Sequence, residues 1–129
     1  MDLESEVARF FDDFVTAFGS GSGARIAARY HVPGVALRGD GSIQCLQSRE
    51  EVERFFQAAV DGYRRDGCAG IRFTDLEAVP LGGRSALGTV TWELLRGDGS
   101  VLRRWRQSYN LVRVDGGGWQ ILASTYHVA

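Results

Sequence analysis

The chain has 129 residues, is 44% hydrophobic and carries a formal net charge of -1, which is enough for one domain over residues 1–129 with a sizeable core. That balance supplies no basic field for nucleic acid or for an anionic membrane, and because all 15 basic residues are arginine, a lysine Schiff base or lysine general base is excluded. Cys45 and Cys68 stand far apart with no partner at metal-ligand spacing, and the acidic start from Met1 to Glu6 leads into no continuous apolar run; no zinc site, disulfide framework, signal peptide or membrane span is expected, and a cytoplasmic protein with reduced thiols is.

In chain order, Leu3, Val7, Phe10, Phe11, Phe14, Val15 and Phe18 fall on one helical stripe that Asp2 can cap and Gly19 can end. After Ser20-Gly21-Ser22-Gly23 a second helix is predicted from about Ala24 to Tyr30, stopping before Pro33. Pro33 to Leu46 alternates and turns at Gly39-Asp40-Gly41-Ser42, a hairpin signal. Ser48-Arg49-Glu50-Glu51 reads as a capping box, followed by Val52, Phe55, Phe56, Ala59, Val60 and Tyr63 at helical spacing as far as Gly67. Four strands follow: Ile71 to Pro80, Ser85 to Leu95, Val101 to Val114 and Trp119 to Val128, the last two joined at Asp115-Gly116-Gly117-Gly118. Their connections are too short for crossover helices, so an antiparallel meander is expected. Three helices and about six strands sharing one core predict an α+β fold, a curved antiparallel sheet wrapped around the helices.

With these elements in place the chain resembles the nuclear-transport-factor-2-like superfamily, the cone-shaped fold of the SnoaL-like and ketosteroid-isomerase-like proteins. The resemblance rests on the paired helices at the start, Tyr30-His31-Val32-Pro33-Gly34-Val35, Asp40-Gly41, the capped third helix and Gly117-Gly118-Trp119-Gln120-Ile121. It is nearest to small bacterial members of unassigned function that share the Tyr-His-Val-Pro segment and a strand bearing Trp92. The superfamily mixes enzymes with pure binding domains, so the resemblance speaks to fold more than to chemistry. The acid and tyrosine set of a ketosteroid isomerase is not carried over, because Phe14 and Phe18 stand where a hydroxyl is wanted and the inward residues from Arg103 to Val114 include no acid. The resemblance also implies a symmetric homodimer through the outer sheet face, where Arg104, Arg106, Ser108, Asn110 and Val112 alternate outward.

Strand parity selects the residues expected to face the cone. Trp119, Ile121, Ala123, Thr125 and His127 form one set, Trp105, Gln107, Tyr109 and Leu111 a second, and Ala86, Gly88, Val90, Trp92 and Leu94 a third, leaving Glu93 outside with Thr89 and Thr91. A bulge would invert part of any set. The candidate site is therefore Trp92, Trp105, Gln107, Tyr109 and His127 on the sheet, Tyr30 and His31 at the end of the second helix, and Phe14, Phe18, Phe55 and Tyr63 from the helices. Such a chamber suits a flat or hydrophobic small molecule, and no cofactor fingerprint is present, since the glycine-rich turns join strands and none opens a helix.

Two functions fit this pattern. In one, a cofactor-independent isomerase, cyclase or dehydratase acts on a hydrophobic carbonyl compound, with His127 as general base and Tyr109, Tyr30 or His31 stabilising the oxyanion. Asp40 is a second candidate base at the cavity mouth, although an Asp-Gly hairpin also needs it as a turn residue. In the other, the chain is a ligand-binding or dimerisation module, the aromatic stripes are core, and His31 only bonds carbonyls at a helix end.

Overall fold

The computed structural model describes residues 1–116 and 118–129. Helix α1 (Leu3–Gly19) begins where the Asp2 carboxylate accepts the Ser5 amide at 2.8 Å, and it buries Val7, Phe10, Phe11, Phe14 and Ala17 along one face. Helix α3 (Arg49–Arg65) is capped by the Ser48 hydroxyl, which accepts the Glu51 amide at 3.2 Å. Glu51 reaches back to the amide of Gln47, one residue before the cap, so the box closes a residue wider than its usual form.

Helix α2 is only Gly23–Ala27, shorter than predicted. Its carbonyl ends are taken by other elements before another turn can form: Arg49 donates to the carbonyls of Ala27 and Tyr30, and the Ile121 amide bonds Arg29 O at 2.8 Å. Tyr30 and His31 therefore open strand β1 (Tyr30–Leu37) instead of closing a helix. The Val32–Pro33 peptide bond within it is cis.

The remaining strands are β2 (Ile43–Leu46), β3 (Gly70–Pro80), β4 (Ser85–Leu95), β5 (Val101–Arg113) and β6 (Trp119–Tyr126), in the sheet order β2-β1-β6-β5-β4-β3. The meander from β3 to β6 is antiparallel as the short connections require, but β1 and β6 run parallel, so the sheet is mixed. Those two strands are separated by most of the chain, which leaves room for the crossover that a parallel pair needs. In the β5–β6 turn the Val114 amide bonds Gly118 O at 2.9 Å; Gly117, assigned above to the same turn, lies outside the described residues.

Two bulges decide which side chains face the helices. On β3 the register slips between Thr74 and Glu77, and Asp75 takes a φ of 53°. The slip moves the inward set from Ile71 and Phe73 to Leu76 and Ala78, so all four pack on the core. On β6 the slip lies between Ile121 and Ala123, opposite Leu111 and Asn110, and it inverts everything beyond. The core itself is Phe11, Ile26, Leu46, Trp92, Leu94, Leu111 and Ile121, all nearly inaccessible. Gly88 on β4 lets α1 settle closely, since a Cβ there would stand 3.0 Å from the Phe11 ring and 3.1 Å from Val7. Among the described residues no helix is long and apolar enough to cross a membrane.

Candidate functional site

Between α1, α3 and the concave side of the sheet lies a cavity of about 420 Å³, within the range of small-molecule sites. Phe14 and Phe18 from α1, Tyr30 from β1, Phe55 and Tyr63 from α3, and Trp92, Trp105, Gln107 and Tyr109 from the sheet all line it, with Asp40 at its mouth. Ser124 and Tyr126 of β6 complete the wall.

The floor is polar only at its tips. Trp92 and Tyr109 come from adjacent strands, and the buried indole N–H of Trp92 donates to the Tyr109 hydroxyl at 2.7 Å. That bond occupies a lone pair and leaves the Tyr109 proton free to be given to something in the cavity. Burial pushes the Tyr109 hydroxyl well above its ordinary ionisation range, the neighbouring Tyr30 adds to the shift, and the Trp92 bond opposes it. Burial, with Tyr63 as a smaller cause, also pushes the Tyr30 hydroxyl up. Its ring packs 4.6 Å from that of Phe56, and its hydroxyl has no hydrogen-bond partner among the described residues. Both phenols are neutral donors at ordinary pH.

Higher in the cavity Trp105 stacks on Tyr126, with ring centroids 5.6 Å apart at 10°, and its indole N–H donates to Gln107 Oε1 at 2.9 Å. This fixes the Gln107 amide so that its NH₂ group is left for the cavity. Ser124 is nearly buried, and its hydroxyl makes no hydrogen bond among the described residues. At the mouth the Asp40 carboxylate accepts the Ser42 hydroxyl at 2.6 Å and the Ser42 amide at 2.9 Å. Those bonds, the hydroxyl first, hold its carboxyl below the usual range, so Asp40 is an ionised turn residue and a weak base.

The two histidines are not in the cavity. The expectation for His127 fails at the β6 bulge: parity counted from Trp119 and Ile121 runs through the extra residue Leu122, so Ser124 and Tyr126 turn inward and Thr125 and His127 outward. His127 is exposed and shares a 2.8 Å hydrogen bond with Ser108 on the convex face. His31 lies in the irregular part of β1, between the residues that pair with β6, and its Nδ1–H donates to Pro33 O at 2.9 Å. Trp119 stays on the inner side but packs on the core under the Arg113 guanidinium, 4.1 Å from its ring centroid, away from the cavity.

Glu93, expected in solvent, is buried on the convex face. Its side chain is 6% exposed because Arg72 and Arg104 close over it, with Arg72 Nε and Arg104 Nε each 2.8 Å away. The run Arg103, Arg104 and Arg106 is divided by strand alternation: Arg104 and Arg106 join the convex ion pairs, and Arg103 lines the cavity.

Parity misses Ser124 and Tyr126; Arg103 is in phase with Trp105 but stands outside the inward set given above, and the turn assignment misses Arg38, which lines the mouth. Tyr126 carried a usable signal. An aromatic residue out of phase with Trp119 and Ile121 near the end of a strand is what a bulge would leave behind.

A curved sheet closed over three helices around an aromatic chamber defines the class of NTF2-like cone folds. The family described as NTF2-like protein (DUF6841) matches residues 5–129, and the chain belongs to it. Among solved structures it is similar to an NTF2-like protein with a cystatin-like fold from Novosphingobium aromaticivorans (13% identity, TM-score 0.76, 95% of this chain and 79% of that one). It is also similar to the protein Aln2 from a Streptomyces species (19%, 0.75, 97% and 89%). A ketosteroid isomerase-like protein from Erwinia carotovora atroseptica stands at 14%, 0.71, 95% and 93%. At these identities the likeness is one of fold. No curated protein matches the chain.

Proposed function

We propose that the protein holds a small, flat hydrophobic molecule carrying a hydrogen-bond acceptor such as a carbonyl, and that it binds this ligand without converting it. The observation that carries the reading is the chemistry of the cavity's polar tips. Tyr30, Tyr109, Ser124 and Gln107 are neutral donors aimed into an aromatic chamber, the acids Asp40 and Asp66 stand at its rim, and both histidines lie outside it. Donors of this kind orient a carbonyl oxygen but take no proton at neutral pH. His127 and His31 have no part in this reading, and the acid-base enzyme loses its proton carrier.

The test is a thermal-shift titration with aryl ketones such as 2-acetonaphthone, followed by chromatography of the ligand. A ligand at about a hundred times its dissociation constant adds about 2.7 kcal/mol, a shift of several degrees for a domain of this size. Wild type should shift and return the ketone unchanged. Tyr30→Phe should bind more weakly, and Ser124→Trp, which fills the chamber, should not shift at all. Conversion of the ketone, or a shift that survives Ser124→Trp, would overturn the reading.

The same reading keeps the expected homodimer through the convex sheet face. Arg72, Arg104 and Glu93, and Arg106 with Glu77, are already paired there, so a second copy would cover them without stranding a charge. Sedimentation giving only a monomer at micromolar concentration would count against it. The cytoplasmic setting expected from the sequence belongs to the same proposal.

A further inference from the structure

Two arginines at the cavity mouth are held by aromatic rings and paired with no carboxylate. Arg38 stands over the Phe55 ring with its guanidinium carbon 5.1 Å from the centroid. Arg103, on the inner face of β5, stands 5.7 Å over Tyr63 and 5.5 Å over Trp105. Both line the cavity, and neither side chain makes a hydrogen bond or ion pair among the described residues. This differs from the convex face of the same sheet, where Arg72, Arg104 and Arg106 each bind a glutamate.

Both guanidiniums belong to the lining of one cavity, Arg38 over Phe55 and Arg103 over Tyr63 and Trp105. Each acts on the Tyr63 hydroxyl in the sense that favours its ionised form, although burial, the larger cause, pushes that hydroxyl up. They come from two strands of one sheet with β6 between them, Arg38 from just beyond the end of β1 and Arg103 from β5. A guanidinium stacked on a ring keeps its N–H edge free, and that edge matches a carboxylate in a fork geometry. The acids of the mouth form no ion pair with either arginine among the described residues: Asp40 is bonded to Ser42, with the Arg38 charge acting on it as a smaller cause of its lowered carboxyl, and Asp66 lines the same cavity.

Resting on the cavity reading above, we propose that Arg38 and Arg103 form a carboxylate clamp, so that the ligand is an amphipathic monocarboxylic acid. Its flat apolar body lies on Trp92, Trp105 and Tyr109, and its anionic head sits at the mouth beside Tyr63. Asp40 and Asp66 bring the formal charge of the mouth to zero, so a single carboxylate is held by its bonds to the guanidiniums, and a dianion such as a phosphate monoester is disfavoured by the two acids.

Calorimetric titration at pH 7 with matched pairs tests this: 2-naphthoic acid against methyl 2-naphthoate, and biphenyl-4-carboxylic acid against its methyl ester. Each acid should bind about tenfold or more tightly than its ester, as charge-assisted bonds to guanidinium imply, and should weaken with added salt. Arg103→Gln and Arg38→Gln should each reduce acid binding about five- to tenfold and ester binding by clearly less, and Arg103→Lys should recover part of the loss. Both side chains are exposed, so these variants keep the fold. If esters bind as tightly as acids, or the glutamine variants bind acids like wild type, the clamp is overturned while the cavity reading stands. If neither acid nor ester binds and 2-acetonaphthone gives no shift, both are overturned; if only the ketone binds, the clamp alone falls.

Discussion

The two faces of one sheet use the same side chains for opposite ends. On the convex face the polar groups satisfy one another: Arg72 and Arg104 close on Glu93, Arg106 bonds Glu77 and the Thr91 hydroxyl, and Ser108 lies between Thr89 and His127. On the concave face Tyr30, Ser124, Gln107 and Arg103 keep hydrogen-bonding capacity that no described residue uses. Satisfied polar groups hold a structure together, whereas groups held in place and left unsatisfied await a partner. That contrast between the two faces is what supports the proposal that the cavity holds a ligand.

The comparison can be broken most severely from the concave side. Phe11 supports both Trp92 and Tyr109, with ring centroids 6.0 and 5.3 Å away. Phe11→Ala should cost about 3–5 kcal/mol in urea unfolding. Tyr109→Phe removes a single oxygen but leaves the buried Trp92 N–H without its acceptor, so a loss of about 1–3 kcal/mol is expected, together with weaker ketone binding.

The two faces should also fail at opposite ends of the pH scale. Glu93 is held below its ordinary value of 4.5, first by the Arg72 bond and then by the Arg104 bond. Its contribution is complete above that value and is lost as pH falls towards its folded-state value. Tyr30 is raised above its ordinary 10.0, so its contribution is complete below pH 10.0 and is lost as pH rises further. Melting temperature followed across pH should show an acid limb that Glu93→Gln makes shallower and an alkaline limb, shared with Tyr109 and Tyr63, that Tyr30→Phe makes shallower, each variant leaving the other limb in place. The smallest effect is expected at His127: His127→Gln on the exposed convex face should change stability by no more than about 0.5 kcal/mol and leave ligand binding unaltered.

The helices and the meander were legible because caps, stripes and turn residues are local signals. Asp2, Ser48 and the glycine turns mark their own elements. Most of the cavity was legible as well, since the concave aromatics of β4 and β5 keep strict alternation along their shared register. What failed depended on distant partners. The parallel pairing of β1 with β6 joins the two ends of the chain, and the slip at Leu122 is fixed by how β6 meets β5. That single extra residue exchanged His127 for Tyr126 in the wall. Glu93 lay on the predicted face, and its burial came from two long arginine side chains whose reach alternation does not register.

The three tryptophans allow the most direct test. The indole N–H groups of Trp92 and Trp105 lie in the cavity, bonded to Tyr109 and Gln107, while Trp119 packs away from it under Arg113. In nitrogen-15 correlation spectra recorded during titration with 2-acetonaphthone, the Trp92 and Trp105 indole resonances should move together along one binding curve, with Trp119 fixed. Movement of Trp119 alone, or of none of the three at saturating ketone, would contradict the assignment of the cavity as the ligand site.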